Sequence, residues 1–142
     1  MSASASVFSS FFASPHFLRR VLWVDAASGV ATGLLQFAFA DALAPLLGLP
    51  VELLLWSSYL LAAFVLGIGW IASRSTLSAG AVWLLIGCNV VWVLGCLGLL
   101  VSSQVAPTTW GVVFLTTQAI TVALFVELEW MGVRKMQPEP AW

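Results

Sequence analysis

Charged residues are scarce in this chain: they make up 8% of its 142 residues, while hydrophobic residues make up 61%. A soluble domain needs about a quarter of its residues charged, because water has to solvate its surface. The composition therefore excludes an ordinary soluble domain and predicts that lipid covers much of the apolar surface. The net charge of −1 provides no basic surface for nucleic acid, so we expect no nucleic-acid partner.

Histidine and cysteine are also rare. His16 is the single histidine, so two histidines of one chain cannot ligate a haem. Cys88 and Cys96 are about 12 Å apart along a helix, which is too far for a disulfide. The metalloprotease, serine-hydrolase and phosphate-loop motifs are absent as well. We therefore expect no catalytic residue, no metal site and no cofactor, and we do not expect an enzyme.

In place of these features the chain has four long apolar runs. Each has about 20 residues, which as a helix covers the roughly 30 Å of a bilayer's hydrocarbon core. The runs are continuous rather than alternating, which excludes a membrane β-barrel. Pro45, Gly48 and Pro50 predict a loop between the first two spans. The predicted spans are residues 21–40, 53–72, 81–101 and 109–130.

This pattern predicts an all-α, polytopic membrane protein, an antiparallel bundle of four transmembrane helices. Sequential helices should pack side by side, because the loops are short. The helical domain should cover residues 19–132, and residues 133–142 should form a C-terminal tail. Residues 1–18 form either a tail or a helix on the membrane surface, since Val7, Phe8, Phe11 and Phe12 share one helical face. Pro15 is a favourable first residue for a helix.

The basic residues predict the orientation. They lie before span one, between spans two and three, and after span four: Arg19, Arg20, Arg74, Arg134 and Lys135. The positive-inside rule then predicts that both termini are cytoplasmic. Tryptophans near both ends of the spans agree with this, because indole prefers the membrane interface.

Span one carries the acidic residue Asp25, about one turn inside the predicted span. Gly29, Thr32 and Gln36 follow it on the same helical face, and Gly33 completes a GxxxG pair with Gly29. This stripe has two interpretations. It is either a surface for packing against another helix, or a polar pathway in which Asp25 binds a proton or cation.

Spans three and four carry further polar residues. Asn89 and Trp92 are one turn apart, and Gln118 and Thr121 are one turn apart on the next span. Asn89 and Gln118 should lie at similar depth, so we expect a hydrogen bond between them, worth about 1 kcal/mol. Glu127, near the end of span four, completes the candidate site.

Glu127 and Glu129 lie at the C-terminus of span four, where negative charge is unfavourable to the helix dipole. Arg20, Arg74 and Arg134 are candidates to offset this charge. We expect a surface cluster of salt bridges there, and an acidic binding site is the alternative.

The order of several short motifs resembles a family of small, uncharacterised four-helix proteins of the bacterial inner membrane. The residues that carry the resemblance are Arg20, Asp25-Ala26, Ser28-Gly29, Leu47-Gly48-Leu49-Pro50, Asn89 with Trp92, Pro107-Thr108, Gly111 and Glu127. The resemblance covers about residues 17–135 and implies a bacterial inner membrane, but no activity.

Three functions are compatible with these residues. The first is a non-enzymatic accessory or structural subunit that binds other transmembrane helices, in a larger complex or a homo-oligomer. In that case Gly29→Leu and Gly33→Leu should break assembly. The second is a small proton- or cation-coupled carrier that uses Asp25. The third is a subunit that binds a lipid, quinone or pigment near Trp92 and Asn89. Membrane lipids are expected partners in every case.

Overall fold

The computed structural model describes residues 4–7 and 15–136. Residues 4–7 are helical, and five longer helices follow along the chain. These helices are α1 (Pro15–Ala38), α2 (Ala40–Leu47), α3 (Val51–Ala72), α4 (Ala79–Val101) and α5 (Thr109–Met136). The described residues contain no β-strand.

Four of the five helices are long and apolar enough to cross a membrane, namely α1, α3, α4 and α5. This confirms the prediction of four long apolar helices. Helix α1 begins at Pro15, the residue expected to start a helix, and therefore extends further than the predicted span. Helix α5 likewise continues to Met136. Val7 is exposed, whereas Phe8, Phe11 and Phe12 of the predicted surface helix lie outside the described residues.

Helix α2 corrects the prediction of a loop between the first two spans. Phe39 has non-helical backbone angles and separates α1 from α2, and Pro45 lies inside α2. Proline removes one backbone donor, and α2 is a short helix with a cap at its C-terminus. The cap is Gly48, whose φ of 67° is left-handed and whose N–H donates to the carbonyl of Ala44. The turn signals at Gly48 and Pro50 therefore mark the end of this helix.

The four long helices pack as two close pairs. Helix α1 packs along α3, and α4 packs along α5, while α1 and α5 join the two pairs. Contacts between α3 and α4 are sparse, which corrects the expectation that all sequential helices pack closely. The α1–α3 pair is close because Gly29 and Gly33 face Val65 and Leu61, where bulkier residues would hold the backbones apart.

Helix α2 fills the space between α3 and α5 at one end of the bundle. Thr108 holds α2 in place through two hydrogen bonds. Its backbone N–H donates to the carbonyl of Leu47 over 3.0 Å, and its hydroxyl donates to the carbonyl of Leu46 over 2.6 Å. Gly111 allows the close approach, since a Cβ there would lie 1.9 Å from the carbonyl oxygen of Leu47. This end of the bundle is therefore closed by direct backbone contacts.

The other end of the bundle carries the basic residues and is called the basic end. Arg19 of α1 donates hydrogen bonds to the carbonyls of Ala72 and Arg74, the latter over 2.7 Å, and so caps the C-terminus of α3. Leu18 of α1 packs against Gly132 of α5. The beginning of α1 and the ends of α3 and α5 are therefore neighbours.

Two apolar clusters form the core. The cluster near the basic end contains residues of all four long helices: Leu18, Leu22, Ala26, Ile68, Ile71, Ala72, Val82, Leu85, Ile86 and Val133. The cluster near the opposite end includes Leu47 of α2 together with Leu54, Cys96 and Leu115. Polar side chains between these helices consequently have little access to the surface.

Candidate functional site

Three polar side chains from three helices meet inside the bundle. Nδ2 of Asn89 donates to Oδ2 of Asp25 over 2.9 Å and to Oε2 of Glu129 over 3.3 Å. The exposed fractions are 5% for Asp25, 3% for Asn89 and 0% for Glu129. We call these residues the acid–amide triad. They join α1, α4 and α5 at one point.

The apolar pattern of each helix explains why these side chains point inward. Asp25 lies between the buried residues Leu22 and Ala26, so it shares their face of α1. Glu129 is four residues from both Phe125 and Val133, which are buried on the same face of α5. The helical spacing of apolar residues therefore forces these acids into the core.

The triad lies well inside the helices. The helical rise from Pro15 to Asp25 is about 15 Å, and the rise from Ala79 to Asn89 is about the same. From Glu129 to Met136 it is about 10 Å. Asp25 therefore lies further from the start of its helix than from the start of the predicted span at residue 21, because α1 begins at Pro15.

The charges of the triad are unbalanced. An amide nitrogen has two hydrogens, and Asn89 directs both at carboxyl groups. The two carboxyl groups also interact with each other, and no basic side chain of the described residues contacts them. Oε1 of Glu129 is buried without a hydrogen-bond partner in that part of the chain. Two acids thus share one neutral donor, and one of their oxygens is unsatisfied.

This arrangement suits a proton better than a metal ion. A metal ion between the acids would require the amide to present its oxygen, whereas Asn89 presents its N–H groups. Within residues 4–7 and 15–136, no group of three His, Cys, Asp or Glu side chains is placed to hold a metal. A proton on either acid would convert a like-charged pair into a hydrogen-bonded pair with one net charge.

The predicted stripe on span one divides between two neighbours. Gly29 and Gly33 pack against α3, and a Cβ at Gly29 would lie 2.7 Å from Cγ2 of Val65. Gln36 is buried, and its Oε1 accepts a hydrogen bond from Ser57 of α3 over 2.6 Å. Only Asp25 is directed at α4 and α5. Most of the stripe therefore serves helix packing, and the acid belongs to a separate site.

The polar residues of spans three and four also pair differently from the prediction. Nε1 of Trp92 donates to Oε1 of Gln118 over 3.1 Å, so the expected bond between Asn89 and Gln118 is not formed. The amide of Asn89 is directed at the acids instead. Thr32 and Thr121 are half-buried. A lipid, quinone or pigment near Trp92 would have to compete with Gln118 for the indole N–H.

Glu127 was predicted to belong to the site, but Glu127 is exposed and Glu129 occupies the buried position. The face shared by Phe125, Glu129 and Val133 is the signal that identifies the correct acid. The expected salt-bridge cluster is not formed within the described residues. Arg134 stacks over the ring of Trp130 instead, 4.7 Å from its centroid.

No family model matches this chain, and neither the curated proteins nor the solved structures contain a match. The resemblance to small four-helix inner-membrane proteins stays a prediction.

Proposed function

We propose that this protein is a small proton-coupled membrane carrier whose acid–amide triad takes up and releases one proton. The observation that carries the proposal is the pair of buried acids, Asp25 and Glu129, held by one amide with no basic partner among the described residues. An ionisable residue inside a membrane helix is a functional candidate, because it costs about 3 kcal/mol at the bilayer centre. Two such residues in contact cost more free energy than one, and the protein has to offset that larger cost.

A proton offsets part of that cost. With one proton, the triad carries a single negative charge. The protonated acid can then donate a hydrogen bond to the ionised acid. When the proton leaves, both acids are ionised and share one hydrogen-bond donor, Asn89. The electrostatic repulsion between the acids of α1 and α5 is therefore much stronger in the unprotonated state than in the protonated state. Such a difference is what a carrier needs to couple proton binding to a change in helix packing.

The membrane placement belongs to the same proposal. We infer that α1, α3, α4 and α5 cross the cytoplasmic membrane of a bacterium, with the basic end in the cytoplasm. The support is that Arg19, Arg74 and Arg134 lie at one end of the bundle. Exposed tryptophans are found towards both ends, among them Trp70 at the basic end and Trp56 at the other. Both chain termini would then be cytoplasmic.

The experiment uses the proton itself as the probe, because the transported solute is unknown. Proteoliposomes are adsorbed to a solid-supported membrane at alkaline pH, where the triad has released its proton, and a rapid acidification to neutral pH is applied. Proton binding to the triad displaces charge and should give a transient current in the wild-type protein. Asp25→Asn and Glu129→Gln should abolish the current. Each variant leaves one carboxyl group, which no longer faces a second negative charge and lies beside two amides that can donate to it, so it stays ionised over this pH range.

Glu127→Gln is the matched control, because it removes a carboxyl group from the same helix at an exposed position. It should give the wild-type current. Circular dichroism and gel filtration establish that all variants are folded. Equal currents from the wild type, Asp25→Asn and Glu129→Gln would contradict the proposal, and so would the absence of a current from the wild type.

An accessory subunit is the second candidate, and the outer face of α4 favours it. Gly87, Gly95 and Gly98 have no neighbouring atom within 4 Å of an added Cβ, so another helix could approach them closely. Gly87→Leu and Gly95→Leu should then release the partner while the chain stays folded. Gly29→Leu and Gly33→Leu do not test assembly, because those residues pack against α3 of the same chain. Unchanged co-purification of partners with both α4 variants would remove this candidate.

A further inference from the structure

A groove runs along the outer surface between α1 and α3, near the basic end. Its volume is about 520 Å³, and it is open to the outside of the bundle. Ala27 and Val30 of α1 and Leu66 and Gly69 of α3 line it, and Trp23 and Trp70 also contribute. The lining is almost wholly apolar, so the groove suits a hydrocarbon chain.

A second, polar depression adjoins this groove around the α3–α4 loop. Its volume is about 320 Å³, and its lining includes Arg74, Ser75, Thr76 and Ser78. Trp70 lines both depressions, so they are contiguous. The apolar groove and the polar pocket thus meet at Trp70. A phospholipid has the same arrangement, with an apolar acyl chain next to a polar headgroup.

Arg74 provides the charge that a lipid phosphate requires. Its guanidinium lies over the ring of Trp70, 4.2 Å from the centroid, and in the described part of the chain its N–H groups donate no hydrogen bond. Stacking occupies the face of a guanidinium and leaves its edge donors available for a phosphate. Arg20 is exposed one turn before Trp23, on the same face of α1.

The surrounding charges agree with an anionic ligand. No acidic residue occurs between Glu52 and Glu127, so no carboxylate from that part of the chain opposes an anion at Arg74, and the pocket's lining contains no acid. Trp70 and Arg74 also lie at the end of α3, where lipid headgroups meet a membrane helix. Polar hydroxyls at Ser75 and Thr76 add hydrogen-bond donors beside the guanidinium.

We propose that this groove binds one anionic phospholipid of the leaflet at the basic end. One acyl chain lies between α1 and α3, and the phosphate group binds Arg74, with Arg20 as a second cation. The site is separate from the acid–amide triad. The proposal rests on the membrane placement proposed above, but it does not depend on proton binding.

Native mass spectrometry of the detergent-purified protein tests the proposal. The protein is titrated with phosphatidylglycerol and, separately, with phosphatidylcholine of the same acyl chains. We expect one tightly bound phosphatidylglycerol and at least about tenfold weaker binding of phosphatidylcholine. Both lipids carry the phosphate group, but the choline cation cancels its charge and is repelled by Arg74 and Arg20. Arg74→Gln should weaken phosphatidylglycerol binding by at least about tenfold as well.

Two pairs of variants provide matched controls. Arg134→Gln removes the other arginine that stacks on a tryptophan, outside the groove, and should leave the affinity unchanged. Gly69→Leu should fill the groove and abolish binding, whereas Gly67→Leu, on the same helix but outside the groove, should not. Equal affinities of Arg74→Gln and Arg134→Gln would overturn the proposal. Equal binding of the two lipids, or a second copy of the chain in place of lipid, would overturn it too.

Discussion

Nδ2 of Asn89 lies 2.9 Å from Oδ2 of Asp25, although 64 positions separate the two residues in the chain. The bond connects α4 to α1, two helices of different close pairs, and Glu129 of α5 shares the same nitrogen. It therefore holds the two halves of the bundle together at the place where both acids are buried. Stability and the proposed function depend on the same three side chains.

Asn89→Leu should strongly destabilise the fold. The leucine fits an apolar core, but it removes both hydrogen bonds to the buried acids, and a hydrogen bond to a charged group contributes about 1.5–3 kcal/mol. The measurement is reversible unfolding in mixed micelles with increasing SDS. Cys88→Ala is the control, because Cys88 is exposed and adjacent. A loss in Asn89→Leu no greater than in the control would contradict this prediction.

Gly111→Ala should destabilise the end of the bundle that contains α2. The added Cβ would lie 1.9 Å from the carbonyl oxygen of Leu47, so either α2 or the beginning of α5 has to move. We expect a loss of about 2 kcal/mol or more, as in other overpacked sites. Gly98→Ala, which has open space around it, should be neutral or slightly stabilising. Thermal unfolding in detergent distinguishes the two variants, and equal melting temperatures would refute the role of Gly111.

Arg19→Ala should reduce stability more than Arg20→Ala. Arg19 donates to carbonyls at the C-terminus of α3, where a cation also interacts favourably with the helix dipole, so its removal should cost about 1–2 kcal/mol. Arg20 is exposed and should contribute less than about 0.5 kcal/mol. Chemical unfolding of both variants provides the comparison. The capping role is refuted if the two variants unfold at the same denaturant concentration.

Trp92→Phe should cost about 1 kcal/mol, the usual value of a hydrogen bond between membrane helices. The substitution keeps an aromatic ring but removes the N–H that donates to Gln118. Trp83→Phe, at an exposed position on the same helix, is the control and should have little effect on the unfolding free energy. In the double variant with Gln118→Leu, the loss should be smaller than the sum of the two single losses. Full additivity would show that the bond contributes nothing.

The sequence allowed the four long helices to be predicted, because their continuous hydropathy has a single physical explanation. Helix α2 was not predicted, because a proline such as Pro45 usually indicates a break in a helix. The left-handed cap at Gly48 and the hydrogen bonds of Thr108, which stabilise α2, are visible only in the structure. The two close helix pairs also depend on contacts between distant residues. Small residues such as Gly29 indicate close approach but do not identify the neighbouring helix.

The candidate site was predicted in part. Asp25 and Asn89 were selected because polar groups in apolar spans are costly, and they are neighbours in the structure. Glu129 was missed in favour of Glu127, because both lie near the end of the predicted span and their burial depends on which face of α5 meets α1. Partners such as Gln118 for Trp92 depend on helix rotation, which hydropathy alone does not determine.

The most direct test of the central claim is infrared spectroscopy of the protein in lipid at neutral pH. A proton held by the acid–amide triad should give the carbonyl stretching band of a protonated carboxylic acid, which an ionised carboxylate lacks. The account predicts this band in the wild type and in Glu127→Gln, and its loss in Glu129→Gln or Asp25→Asn. Absence of the band from the wild type, or its persistence unchanged in both triad variants, would show that the buried acids do not hold the proton.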